Sequence, residues 1–348
     1  MVSEKVLKFF PHDTIRKGQK EMVDDVETTL NDGKILLAHA PTGLGKTASA
    51  LSVALQHAIE HDKIIFFLTN RHTQHKIAID TLKEIRKKTG ENFTCVDLIG
   101  KRWMCNQEVA GLFGNEFNEY CKSIVGKGEC EFYNKVKDKS ALHVEAKVFL
   151  KDLERLGPIH NEELISLAQE KRMCSYEISL AHAKNAKILI GDYYYLFNPF
   201  VQATLFNKLD IDMEDIILIV DEAHNLPSRV TDMMSSNLTT YMLKSGIQEA
   251  KKFGYPELIN KLQEVNGILN KLAKFEGYEK EKKVRQGHFT DSIRLFTDYD
   301  ELINELEFAA DEIRKKQRKS YLGGFASFLE EWKGSDEGDT RILAEEFG

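Results

Sequence analysis

Two stretches combine the residue types that phosphoryl chemistry needs. Ala40-Pro-Thr-Gly-Leu-Gly-Lys-Thr47 fits the phosphate-loop pattern, with alanine at a first position where glycine is common. Gly43 and Gly45 let backbone N–H groups turn toward phosphate oxygens, and the following helix adds a field favourable to anions at its N-terminus. Lys46 would reach the β- and γ-phosphates of ATP and Thr47 would ligate Mg²⁺, with Pro41, Thr42 and Leu44 completing the nucleotide-binding loop. Far downstream, Ile216-Ile-Leu-Ile-Val-Asp-Glu-Ala-His-Asn-Leu-Pro227 supplies the acids. Its apolar run predicts a buried strand, with Asp221 and Glu222 emerging at the carboxyl edge where α/β sheets place their ligands. Asp221 would hold the Mg²⁺ shell, and Glu222 would orient and deprotonate the attacking water.

A second chemistry is written in cysteine. Of five cysteines, Cys105, Cys121, Cys130 and Cys174 follow the spacing C-x15-C-x8-C-x43-C, whereas Cys95 sits in an apolar run and reads as core. Zinc sites usually show close C-x2–4-C pairs, and none occurs here. A disulfide framework does not suit a reducing compartment. Four thiolates are also the ligand set of an iron–sulfur cluster, which tolerates wide spacing once a fold gathers the ligands. On residue types and spacing, a cluster, a zinc site and unrelated buried cysteines all stay open.

The elements that must position these groups follow from hydrophobic patterning. Short apolar runs at Lys34–His39, Lys63–Thr69, Phe93–Ile99, Lys187–Tyr193 and Ile216–Glu222 read as strands. Helical sequence lies between the first two, so the pattern predicts a parallel sheet with crossover helices. From Ile99 to Lys187 the strand rhythm stops, and the cysteine segment reads as short helices and loops inserted into the sheet domain. After Leu226, Leu258, Leu262, Val265, Leu269 and Leu272 recur at helical spacing, as do Leu302, Leu306, Ala309 and Ile313. Between them Glu276–His288 reads as a charged, solvated connector, and Thr340–Glu346 as a strand returning to the sheet.

Bulk composition excludes little. The 348 residues suffice for two or three domains, at 42% hydrophobic and 30% charged. No apolar run reaches the roughly 20 residues of a membrane span, and the N-terminus is too charged for a signal peptide, so a cytoplasmic protein with no membrane partner is expected. The net charge of −7 gives no global basic footprint, although a basic groove can sit on an acidic body.

With the two acids and the phosphate loop, the chain resembles a superfamily 2 helicase-type motor, and Arg16 and Gln19, as R-x-x-Q, resemble its adenine-side contact. The four-cysteine insertion ahead of DEAH narrows the resemblance to the XPD family of iron–sulfur DNA helicases, in archaeal form. Gly100–Cys105 resembles that family's first cysteine motif, Glu129–Tyr133 its third and Met173–Glu177 its fourth. AKILIGDYYYLFNP is similar to its tyrosine-rich strand, and DEAHNLP matches it outright. The resemblance implies an α/β fold: a RecA-like P-loop parallel-sheet motor domain (1–98 and 187–228), a small Fe–S domain (99–186), a mostly helical arch (229–339) and a return segment (340–348). It implies a 4Fe–4S cluster on Cys105, Cys121, Cys130 and Cys174, together with ATP and Mg²⁺. It also implies 5′→3′ DNA unwinding in nucleotide excision repair, single-stranded DNA and DNA forks as substrates, and repair-factor partners.

The sequence departs from that family in places. The third and fourth cysteines lack the following proline, Thr69–Gln74 varies on the family's motif, and Lys101 replaces an arginine. Arg71, Thr73, Gln74, Lys101, Arg102 and Tyr193 are expected to contact DNA, with Lys122 and Lys127 adding local positive charge. Any one of Tyr193, Tyr194 and Tyr195 reads either as a base-stacking ring or as core, and Phe132 and Tyr133 either as shields of the cluster, the favoured reading, or as a strand-facing platform. No second motor domain or arginine finger follows Leu226, so the reading is an N-terminal portion with little ATPase activity alone, completed in cis or by a separate chain. Another Fe–S superfamily 2 helicase, an ATP-independent strand-binding or regulatory module, and a partner-docking scaffold are the alternatives.

Overall fold

A computed structural model describes residues 3–41, 43–109, 114–138, 141–274, 281–317, 320–334 and 341–343. The chain forms two compact units, 1–234 and 235–348. In chain order the strands are β1 (Ile64–Leu68), β2 (Cys95–Asp97), β3 (Lys137–Asp138), β4 (Ala141–Leu142), β5 (Ile188–Gly191), β6 (Ile216–Val220), β7 (Glu281–Lys283) and β8 (Arg341–Leu343).

In the first unit β2, β5, β1 and β6 pair in that order, all in parallel, with Ile65 opposite Ile188 and Ile217. Successive side chains of a strand point to opposite faces. Ile65 and Phe67 therefore join Ile188, Ile190 and Ile217 on one face, packed on helices Lys46–Glu60 and His72–Thr89 through Leu51, Leu55, Ile79 and Leu82. Phe66 and Leu68 join Val96 and Leu189 on the other, packed on Phe149, Leu153, Leu164 and Ile178. Those last four residues belong to the cysteine-bearing insertion, a set of short helices with the β3–β4 ribbon. The insertion thus shares the sheet's core instead of standing apart. At the sheet edge, Asp97 accepts from the main-chain N–H (3.0 Å) and Nδ2 (2.7 Å) of Asn161 and meets His75 Nδ1 at 2.5 Å, tying β2 to helices on both sides.

One expected strand does not form: among the described residues Lys34–Ala40 pairs with no strand, Ile35 and Leu37 are each 91% exposed, and β6 is left as a sheet edge. An apolar run offers side chains, but a strand exists only where a ladder of hydrogen bonds closes, and that partner is set by topology.

The second unit is helical: Thr240–Phe253, Pro256–Leu272, Gln286–Arg294, Tyr299–Arg314 and Tyr321–Gly334. Leu258, Leu262, Val265, Leu302, Leu306, Ala309 and Ile313 are buried together, as their spacing predicts, with Leu269 and Leu272 packed at the margin. The connector read over 276–288 is partly structured, because β7 and the first turn of the next helix begin within it. Arg341–Leu343 corrects the return-segment expectation, since β8 pairs antiparallel with β7 and not with the parallel sheet. The boundary between the units lies at Met234, past the helix Leu226–Met233, and not at 228. Residues 340 and 344–348 lie outside the described residues. No described helix is long and apolar enough to cross a membrane.

Candidate nucleotide site and cysteine cavity

The phosphate loop is shaped by its glycines. Gly43 (φ 84°) and Gly45 (φ 92°) adopt the left-handed conformation that side chains resist, and Gly45 caps the helix Lys46–Glu60. A Cβ on Gly45 would lie 2.3 Å from Gln19 Nε2, so the glycine also makes room for that amide. Gln19 is buried and its Oε1 accepts from the Arg16 main-chain N–H at 3.0 Å, while Arg16 Nη1 donates to Gly43 O at 3.2 Å. The R-x-x-Q pair and the loop therefore form one constellation. Leu44 rests against Gly18, Pro41 is exposed and Thr47 lies half-buried in the first helical turn. Lys46 Nζ donates to Ala40 O at 3.2 Å. Thr42 lies outside the described residues.

Asp221 follows β6, and its main-chain N–H donates to Leu68 O at 2.8 Å. Burial, then the charge of Glu222, raises its carboxyl above the usual carboxylate range, against the pull of Lys46 and Arg71. Lys46 and Asp221 thus share one electrostatic site. Glu222 takes a positive φ of 53° and lies 3.4 Å from His224 Nδ1 through Oε2. Such a backbone is costly for a side-chain-bearing residue and persists only where its surroundings hold it.

Tyr193 provides part of that hold. Its ring is fully buried, and its hydroxyl donates to the main-chain oxygens of Asp221 and of Glu222, the latter at 3.0 Å. This corrects the DNA-stacking expectation, because a ring with no exposed face has none to offer a base. Tyr195 is buried as well, with its hydroxyl on Ile99 O at 2.7 Å, and Tyr194 is the half-exposed member of the three.

Cys105, Cys121, Cys130 and Cys174, from four separate segments, line one cavity with Lys101, Gln107, Phe132, Tyr133 and Tyr176. Gln107 Nε2 lies 3.2 Å from Cys130 Sγ, and Lys101 lines the same cavity as Cys121. Burial pushes the Cys105 thiol up and the Cys174 thiol up to about 12. Gln107 was missed in the sequence; Tyr120 Oη fixes it by donating to its Oε1 at 2.9 Å. Phe132 and Tyr133 line the cavity.

Lys101 is turned inward, which corrects its assignment as a phosphate contact. Burial works against its charge, but Cys121 and then Glu177 and Tyr176 outweigh that, holding it above the usual lysine range. Its ammonium lies 5.4 Å from the Tyr176 ring centroid. Arg71, Thr73 and Gln74 occupy the N-terminal end of the helix His72–Thr89, with Arg71 and Thr73 exposed and Arg71 acting on Asp221. Lys122 and Lys127 are exposed.

A phosphate loop and an acidic turn on a parallel sheet, with helical additions, define a RecA-like helicase motor. The chain belongs to the DEAD_2 family, whose pattern matches residues 67–243. It is 27% identical over 310 residues to the Saccharomyces cerevisiae general transcription and DNA repair factor IIH helicase subunit XPD/RAD3, covering 84% of this chain and 38% of that one. It is 24% identical over 316 residues to the ATP-dependent DNA helicase XPD of Sulfolobus acidocaldarius, covering 90% and 50%. A regulator of telomere elongation helicase 1 homolog from Oryza sativa is 26% identical over 292 residues, covering 70% and 27%. The chain therefore spans half or less of these curated relatives. Among solved structures, an XPD helicase gives a TM-score of 0.66 at 20% identity, over 95% of this chain and 54% of the other. A truncated XPD gives 0.58 at 21% identity, over 89% and 82%. These relatives support an XPD/Rad3-like helicase.

Proposed function

We propose that this protein works as an ATP-dependent, 5′→3′ DNA helicase of XPD type in nucleotide excision repair, carrying a 4Fe–4S cluster and engaging single-stranded DNA at forks. One observation carries the reading: four cysteines distant in sequence meet around one cavity, in the same unit as the phosphate loop and the acidic pair.

The cavity's residues fit the cluster. Four cysteines lining one cavity supply the thiolate donor set that such a cluster takes. Cys105, Cys121, Cys130 and Cys174 would hold it, and when bound it supplies a covalent tie between four chain segments and one-electron redox capacity. Lys101 and Gln107 would offset the negative charge of the thiolates.

At the nucleotide site, Lys46 and the loop N–H groups bind the phosphates, and Arg16 and Gln19 brace the loop. Thr47 and Asp221 would hold Mg²⁺, which neutralises phosphate charge. Glu222 orients water for in-line attack on the γ-phosphate and takes its proton. Cytoplasmic location and repair-factor partners belong to the same proposal.

The test is iron and acid-labile sulfide content of anaerobically purified protein, with zinc measured alongside. About four irons per chain, lost in Cys105→Ser and Cys130→Ser, supports the reading. Stoichiometric zinc, or a folded protein with no metal, overturns the cluster. For the motor, Lys46→Ala should abolish nucleotide binding while leaving strand affinity without nucleotide unchanged. Unwinding of 3′-tailed but not 5′-tailed duplexes would sink the assigned direction.

A further inference from the structure

Trp103 has no role in the nucleotide site or the cysteine cavity, yet it is 64% exposed two residues before the first cysteine. Tryptophan is enriched where protein surfaces meet partners. Its turn is firmly built. The Trp103 N–H donates to Gly100 O at 2.8 Å and the Cys105 N–H to Arg102 O at 3.2 Å. Met104 is fully buried, so the turn is pinned in the core directly beside the exposed ring. Gly100 has a specific part in this, because a Cβ there would stand 3.3 Å from Trp103 Cδ1 and crowd the indole. The Arg102 guanidinium lies over the ring at 4.5 Å from its centroid.

A flat π-face carried on a hydrogen-bonded turn, with an arginine against it, is chemistry that receives one nucleotide. The ring stacks on the base and the guanidinium meets the neighbouring phosphate. From this geometry we infer that Trp103 is a stacking platform for an unpaired base, with Arg102 as its phosphate contact. The inference rests on the single-strand-binding reading above and adds to it a particular site on the rim of the cysteine segment. Preorganisation matters here, because an indole already fixed in place loses little freedom when a base lands on it.

The chain's two tryptophans make the test direct. Trp332 is half-buried in the second unit among Phe289 and Phe328, with Nε1 donating to Gln286 O at 3.3 Å. Oligo(dT) is titrated into wild type, Trp103→Phe and Trp103→Ala, following tryptophan emission and the anisotropy of the labelled strand together. The expected result is strong quenching in wild type that vanishes in both variants. Affinity should fall about 5- to 150-fold in Trp103→Ala, equivalent to roughly 1–3 kcal/mol, and much less in Trp103→Phe. An abasic strand should bind wild type and Trp103→Ala alike. If wild type binds oligo(dT) with unchanged emission and Trp103→Ala binds as tightly, the platform is overturned and strand binding stands. If wild type binds no strand at low salt, both fall.

Discussion

The hydroxyl of Tyr193 donates to the main-chain oxygen of Glu222, 3.0 Å away, joining the end of β5 to the acidic turn that follows β6. Glu222 has a positive φ, and the same hydroxyl also reaches Asp221 O. Burial, then the charges of Asp221, Asp192 and Glu222, pushes the phenol up to about 12, so it stays a proton donor across the working range of pH.

Tyr193→Phe removes that donor and little else. The buried ring keeps its packing, and stability should drop by about 1 kcal/mol. The larger effect is expected on Mg²⁺-dependent nucleotide binding, because the turn carrying both acids loses a tether. Denaturant unfolding and fluorescent-ATP titration check the two halves. Weakened single-strand binding with intact nucleotide binding would instead return Tyr193 to a DNA role.

Asp221 sets a pH dependence whose sign follows from its environment. Burial, then Glu222, raises its folded-state pKa above that of the unfolded chain. The folded state then holds a proton the unfolded state has lost, so stability falls as pH rises through the carboxylate range toward the raised value. At neutral pH the wild type carries the cost of a buried charge, and Asp221→Asn does not. The variant should therefore melt higher than wild type at pH 7, with the gap closing in acid, while losing the stabilisation that Mg–ATP gives wild type. Melting curves at several pH values decide it; a variant less stable than wild type at pH 7 without nucleotide contradicts the assignment.

Ile35 and Leu37 test the segment ahead of the phosphate loop. Both are 91% exposed, so Ile35→Asp and Leu37→Asp should each change stability by no more than about 0.5 kcal/mol. A buried strand at the same place would lose several times that from one buried carboxylate. Urea unfolding of the nucleotide-free protein separates the two outcomes.

Much of the chemistry was legible in one dimension because it is local. The phosphate loop, the helix after it and the acidic turn each lie within fifteen residues, so residue type and spacing already specify them. Short apolar runs likewise located β1, β2, β5 and β6, and periodicity the buried stripes of the helical unit, since a helix face repeats every three or four residues. Spacing left the cysteines ambiguous, because four segments converge on their cavity and no local pattern encodes a long-range meeting. Tertiary packing alone decided that Tyr193 is buried against the Glu222 turn, that Lys101 turns to Cys121, and that Trp103 stays open to solvent. Neighbouring residues with similar side chains were sent in opposite directions, because burial is set by what arrives from elsewhere in the chain.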